Sequence, residues 1–151
     1  MSAVAARPAT LAFEDVEAGA KLPSISLEIT HKRVCMNAAA TWDWFPGHHD
    51  PGYARRQGQR TIYLSTLFFQ GFVDRLVTDW AGPDAFIRRR RIRMLRSIYA
   101  GQTATARGRV TGKREQGGRG LVEIEAVVES EEGACVPAEV DVELPRRRGG
   151  A

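Results

Sequence analysis

A chain of 151 residues with 43% hydrophobic and 26% charged residues has the makeup of one globular domain, large enough to bury a core and too small for two. These proportions exclude a disordered chain, and no apolar run approaches the roughly 18 residues that cross a bilayer as a helix. The net charge of +4 asks whether the partner is a polyanion, since much of the excess sits in two runs, Arg88-Arg89-Arg90-Arg91 and Arg146-Arg147-Arg148.

In chain order, residues 1–10 carry Ala and Pro without a sustained apolar stretch, which predicts a loose tail rather than a signal peptide. Residues 11–145 form the predicted domain, and 146–151 a solvated basic tail. Leu11 to Pro23 reads as a short edge segment entering a loop. Ile25, Leu27 and Ile29 alternate with Ser26 and Glu28 and predict a strand. Thr30 is a plausible N-cap for a helix over His31 to Thr41, with Val34, Cys35 and Ala38 among its apolar positions. Asp50-Pro51-Gly52 predicts a turn and Tyr53 to Gln57 one more helical turn.

The longest predicted helix follows. Leu64, Phe68, Phe72, Leu76 and Trp80 recur every four residues, with Thr66, Gln70, Asp74 and Thr78 opposite, facing solvent or a subunit interface. Ser65 or a neighbour caps its start and Gly82-Pro83 ends it. Strand patterns then dominate. Ile92, Met94 and Ile98 alternate after the arginine run, Thr103 to Lys113 follows, and Gly117-Gly118 turns the chain. Val122, Ile124, Ala126 and Val128 alternate with glutamates, as do Val136, Ala138, Val140, Val142 and Leu144 with acidic residues. One long helix and three or four consecutive antiparallel strands predict an α+β domain, a curved antiparallel sheet wrapped around one long central helix. Cys35 and Cys135 lie far apart and make no metal-type pair, which fits reduced thiols in a cytoplasmic protein.

The loop Trp42-Asp43-Trp44-Phe45-Pro46-Gly47-His48-His49-Asp50 carries the chemistry. Pro46 and Gly47 stop the preceding helix, leaving Asp43 at its end and His48 in the turn beyond. A reversal of that kind can set a carboxylate and an imidazole on either side of one water molecule, polarising it without a metal. Taken singly, Asp43 reads as a turn cap and His48 as a surface histidine. His48, His49 and Asp50 with His31 or Cys35 could also ligate a metal, but no helical His-x3-His or cysteine pair supports that.

Three stretches together resemble the MaoC-like hydratases of the hot-dog fold: Phe13-Glu14-Asp15-Val16-Glu17-Ala18-Gly19, the loop from Asp43 to Asp50, and Thr78-Asp79-Trp80-Ala81-Gly82-Pro83. The likeness runs from Phe13 to Pro145 and is greatest to small subunits that pair with a second MaoC-like chain to hydrate steroid side-chain enoyl-CoA thioesters. It implies a hydratase or dehydratase, with syn addition of water to a trans-2-enoyl-CoA or the reverse. Asp43 and His48 would activate the water, and backbone amides at Ser65 and Thr66 would meet the developing oxyanion. Trp42, Trp44, Phe45 and Tyr63 would shape the acyl pocket. No separate cofactor is implied, because coenzyme A enters as part of the substrate. A homodimer or a heteromer with a second MaoC-like chain is implied as the working assembly. Two alternatives stay open: a non-catalytic subunit that completes another chain's acyl pocket, and an acyl-CoA thioesterase of the same fold. The family's usual Asn before the loop proline and His-Gly at the helix start are here Phe45 and Ser65-Thr66.

Arg89, Arg91 and Arg93 would share the outward face of a strand. They read either as a solvated or interface face or as a dock for the coenzyme A phosphates, which guanidinium groups bind bidentately. Nucleic acid fits less well, because no aromatic residues interleave with the basic run.

Overall fold

The computed structural model describes residues 9–147, so most of the expected N-terminal tail and the last four residues lie outside the described residues. Five strands form one antiparallel sheet: β1 (Lys21–Glu28), β2 (Phe86–Ile92), β3 (Thr103–Gln116), β4 (Arg119–Ser130) and β5 (Gly133–Leu144), in the spatial order β1-β3-β4-β5-β2. Three α-helices precede β2: α1 (His31–Thr41), α2 (Pro51–Arg56) and α3 (Thr66–Ala81). The long α3 packs across β1, β3, β4 and β5. This is the sheet packed on one long helix that the alternating strands predict, and the hot-dog fold that the resemblance implies. Among the described residues no helix is long and apolar enough to cross a membrane.

The core is where the alternation puts it. Val122, Ile124 and Val128 of β4 and Val136, Val140 and Val142 of β5 are buried on the α3 side, and their intervening glutamates face outward. Gly117 and Gly118 both take positive φ, at 59° and 76°, as a two-residue hairpin requires. β1 starts four residues before Ile25, and its register shifts between Leu22 and Ile25, where Pro23 interrupts the ladder.

Three expectations change. The strand is the arginine run itself, as the outward placing of Arg89 and Arg91 requires, and not the Ile92-Met94-Ile98 alternation after it; residues 93–96 continue beside β5 only through single hydrogen bonds such as Arg93 N–H to Pro137 O at 3.0 Å. As an edge strand β2 need not turn apolar residues inward: Arg90 reaches Gln70 and Asp74 on the polar stripe of α3. The apolar face of α3 is also rotated. It buries Phe69, Phe72, Val73, Leu76, Val77 and Ala81, while Phe68 and Trp80 are only partly buried. Steps of four residues advance about 40° beyond a full turn, so a four-residue repeat drifts off the buried side. Finally, Arg146 and Arg147 are exposed but engaged: Arg146 donates to Glu115 and Glu14, and Arg147 pairs with Asp15. Thr10, the last residue of the expected amino-terminal tail, is likewise engaged: its hydroxyl donates to Asp84 and accepts from its N–H.

Candidate functional site

The site begins where α1 ends. Thr30 caps α1, its side chain accepting from Arg33 N–H. At the other end Trp42 adopts φ 55° and ψ 25°, the left-handed conformation that closes a helix, and Asp43 N–H then donates back to Ala38 O at 3.0 Å. The chain turns through a 3-10 turn at Pro46–His48, held by His48 N–H donating to Phe45 O at 3.0 Å. Asp50 caps α2 beyond it, accepting from the N–H groups of Gly52 and Tyr53. Those two bonds favour the charged carboxyl, and the Asp50 pKa is lowered, with the Tyr53 bond the larger cause.

Asp43 Oδ2 and His48 Nε2 stand 3.5 Å apart, the imidazole buried and the carboxylate partly open. His48 Nδ1 lies 2.7 Å from the carbonyl oxygen of Tyr63. A carbonyl only accepts, so Nδ1 carries a proton, and in the neutral form of the ring it is Nε2 that stands unprotonated beside the carboxylate. Two acceptors at this spacing cannot bond each other, but both can accept the two hydrogens of one water. That is the arrangement a hydration site needs, with the tautomer set by the backbone of a segment fifteen residues away.

The same segment leads into α3. Two residues after Tyr63, the buried Ser65 caps the helix, its Oγ accepting from Phe68 N–H at 3.4 Å and donating to Asn37 Oδ1 at 2.9 Å. Thr66 and Leu67 are the first residues of α3, and their N–H groups have no acceptor within the helix. The helix dipole adds positive potential there. A carbonyl oxygen gaining charge next to Asp43 and His48 would find its donors at this end.

Of the four aromatic residues expected round the acyl group, the structure brings two to the pair. The rings of Tyr63 and Phe45 lie 5.1 Å and 5.5 Å from the imidazole, both edge to face. Trp42 and Trp44 are 82% and 54% exposed; they pack on each other, and Trp44 on His49. An apolar groove of about 510 Å³ instead opens beside the cap of α3, lined by Leu27, Met36, Asn37, Ala40 and Phe68 among others. Sequence reasoning missed it because its walls come from β1, α1 and α3. Asn37, a polar residue within the uncharged stretch 34–42, was the available signal.

Arg89 and Arg91 stand on the sheet face away from α3 with Arg93 just beyond β2, whereas Asp43 and His48 belong to the helical layer. Asp141 holds Arg89 Nε at 3.0 Å and raises its pKa, and Glu139 lies 4.0 Å from Arg91. Arg91 and Arg93 border a recess of about 890 Å³ on that face, together with Lys21, Arg107 and Arg109. The chain therefore does not gather these arginines round the acid-base pair.

Known proteins share this fold. Residues 15–132 match the model of the MaoC like domain. The beta subunit of a 3-oxo-4,17-pregnadiene-20-carboxyl-CoA hydratase from Mycobacterium tuberculosis is 35% identical over 126 residues, covering 83% of this chain and 95% of that one. A chain of the ChsH1-ChsH2 complex from Mycobacterium tuberculosis superposes with a TM-score of 0.79 at 34% identity, covering 85% and 98%. The (R)-hydratase from A. caviae involved in PHA biosynthesis, at 21% identity, shares the fold with a TM-score of 0.80 over 87% and 99%.

Proposed function

The chain belongs to the MaoC-like domain family, and from that premise we propose that it is a catalytic subunit of an enoyl-CoA hydratase, adding water syn to a trans-2-enoyl-CoA. The observation that carries the reading is the 3.5 Å approach of Asp43 Oδ2 to His48 Nε2, with Nδ1 committed to the Tyr63 carbonyl. A water held by both acceptors gives its oxygen to C3 of the substrate. Its proton passes to the pair, and the pair returns a proton to C2 on the same face. Between these events the thioester oxygen carries negative charge, which the leading amides of α3 at Thr66 and Leu67 stabilise. The elimination direction uses the same groups in reverse.

The acyl group belongs in the groove of Leu27, Met36, Ala40 and Phe68, which adjoins Ser65 through Asn37. Its volume of about 510 Å³ and the apolar side chains among its lining suit a bulky acyl group, and the relative of 35% identity is a subunit of a 3-oxo-4,17-pregnadiene-20-carboxyl-CoA hydratase. That relative is one subunit of its enzyme and a similar solved structure is a two-chain complex, so the working form proposed here pairs this chain with a second MaoC-like chain.

The test is loss of enoyl absorbance with a panel of trans-2-enoyl-CoA esters, for the chain alone and mixed with a co-encoded MaoC-like chain. Asp43→Asn and His48→Ala are each expected to lower kcat by about 10²- to 10⁴-fold with the fold intact by circular dichroism. Activity that needs the partner yet ignores both substitutions would make this chain an architectural subunit. Release of free thiol instead of a 3-hydroxyacyl-CoA would make it a thioesterase.

A further inference from the structure

Gly47 is buried between Pro46 and His48, and its φ lies outside the left-handed region, so no backbone conformation demands glycine there. Space does. A Cβ at this position would stand 2.7 Å from Phe45 Cε1, 2.7 Å from Tyr63 Oη and 3.0 Å from Tyr63 Cε1. Two aromatic rings thus meet over a bare Cα, and a side chain there would have to displace at least one of them.

These are the rings that flank the imidazole. Tyr63 lies 5.1 Å from His48 at 79° between planes, and Phe45 lies 5.5 Å away at 65°. Phe45 is backed in turn by Tyr53, 5.5 Å away at 89°. The backbone adds two bonds between the same segments: Tyr63 N–H donates to Gly47 O at 3.3 Å, and His48 Nδ1–H donates to Tyr63 O at 2.7 Å. One hydrogen bond leaves a ring free to swing about it, carrying Nε2 away from Asp43. Rings on two sides remove that freedom.

We infer that Gly47 is a positioning residue: it admits the Phe45 and Tyr63 rings into an aromatic clamp that fixes the plane of His48 against Asp43. The inference rests on the hydratase reading for its effect on rate, but the clamp itself is a property of the resting protein. Phe45 is then a wall of the histidine, not of the acyl group.

The clamp predicts coupling between positions 47 and 45. Gly47→Ala is expected to lower kcat by about 10-fold or more with KM nearly unchanged, because a displacement on the order of 1 Å in a reacting group is costly. Phe45→Ala frees the imidazole and is also expected to lower kcat. The double variant removes the Phe45 contact and gives the Tyr63 ring room to shift, so its loss is expected to be smaller than the product of the two single losses. Nitrogen NMR of isotope-labelled histidine, recorded without substrate, is the second readout. His48 in the natural protein is expected to show a single neutral tautomer with the proton on Nδ1, and Gly47→Ala to show an exchanging mixture. Phe45→Ala replaces Gly47→Ala in both arms if the latter does not fold.

Unchanged kcat and an unchanged His48 spectrum in Gly47→Ala, or losses in the double variant that simply multiply, would overturn the clamp. If the natural protein hydrates nothing, the function fails while the NMR arm still decides: a shifted His48 tautomer in Gly47→Ala upholds the clamp, and an unshifted one removes it.

Discussion

Trp42 is the one non-glycine residue with positive φ among the described residues, and the left-handed conformation places its Cβ against a carbonyl oxygen. Glycine would relieve that contact but gain freedom in the unfolded chain, leaving a net stabilisation for Trp42→Gly of about 0.5–1 kcal/mol. The expected rise in Tm is about 2 °C, read by thermal unfolding followed by circular dichroism. A fall in Tm would mean that the exposed indole supports the loop through Trp44. Asp50 makes a different prediction. Its pKa is lowered in the folded chain by the amides of Tyr53 and Gly52, so its contribution is complete above the ordinary aspartate pKa and is lost as pH falls through the lowered one. Asp50→Asn keeps a cap oxygen without a charge to titrate and should flatten that part of the acid unfolding curve; equal acid limbs would remove the cap from the account. At this scale Asp43 and His48 were legible in the sequence, because a carboxylate and an imidazole five positions apart across a Pro-Gly turn have few ways to avoid each other. The Tyr63 carbonyl was not, since every residue carries one and only the fold chooses among them.

The elements were legible to the degree that burial repeats along them. α1 matches its expected span of His31 to Thr41, and β4 and β5 follow the alternation of their valines and glutamates. β2 was obscured because an edge strand with Arg90 turned inward toward Asp74 has no apolar period to read. In α3 the period was visible but its phase was not. The phase decides which phenylalanine matters: Phe69 is fully buried against the sheet, and Phe68 is partly open beside the groove. Phe69→Ala should cost about 3–5 kcal/mol, as emptying a closed site does, and Phe68→Ala clearly less. Chemical denaturation of the two variants side by side checks this, and equal losses would return α3 to the orientation predicted from its four-residue repeat.

At the scale of the molecule, the arginines of the basic runs among the described residues are answered by carboxylates, which decides how their charge should be read. On the outward face Arg107 pairs with Glu129, Arg109 with Glu125, Arg114 with Glu123, and Arg89 with Asp141. Asp141 differs from the others in being buried. It accepts from Arg89 Nε and from Arg114 Nη2, each at 3.0 Å, and so ties β5 to β2 on one side and to β3 across the width of β4. The exposed pairs are each worth only a few tenths of a kcal/mol and fade as salt screens them. Removing the buried carboxylate leaves two guanidinium groups facing each other without their shared acceptor. Because both are partly open to water and can rehydrate, the loss for Asp141→Ala should stay near the lower end for a broken buried pair, about 2 kcal/mol. The loss should change little between low and high salt, whereas Glu125→Gln with Glu129→Gln should matter little at any salt. Denaturant unfolding at two ionic strengths separates the two cases. A loss for Asp141→Ala that disappears in high salt would mean that the sheet is held by its surface charge pattern, and the arginine columns would then have to be reconsidered as a face poised for an anionic partner.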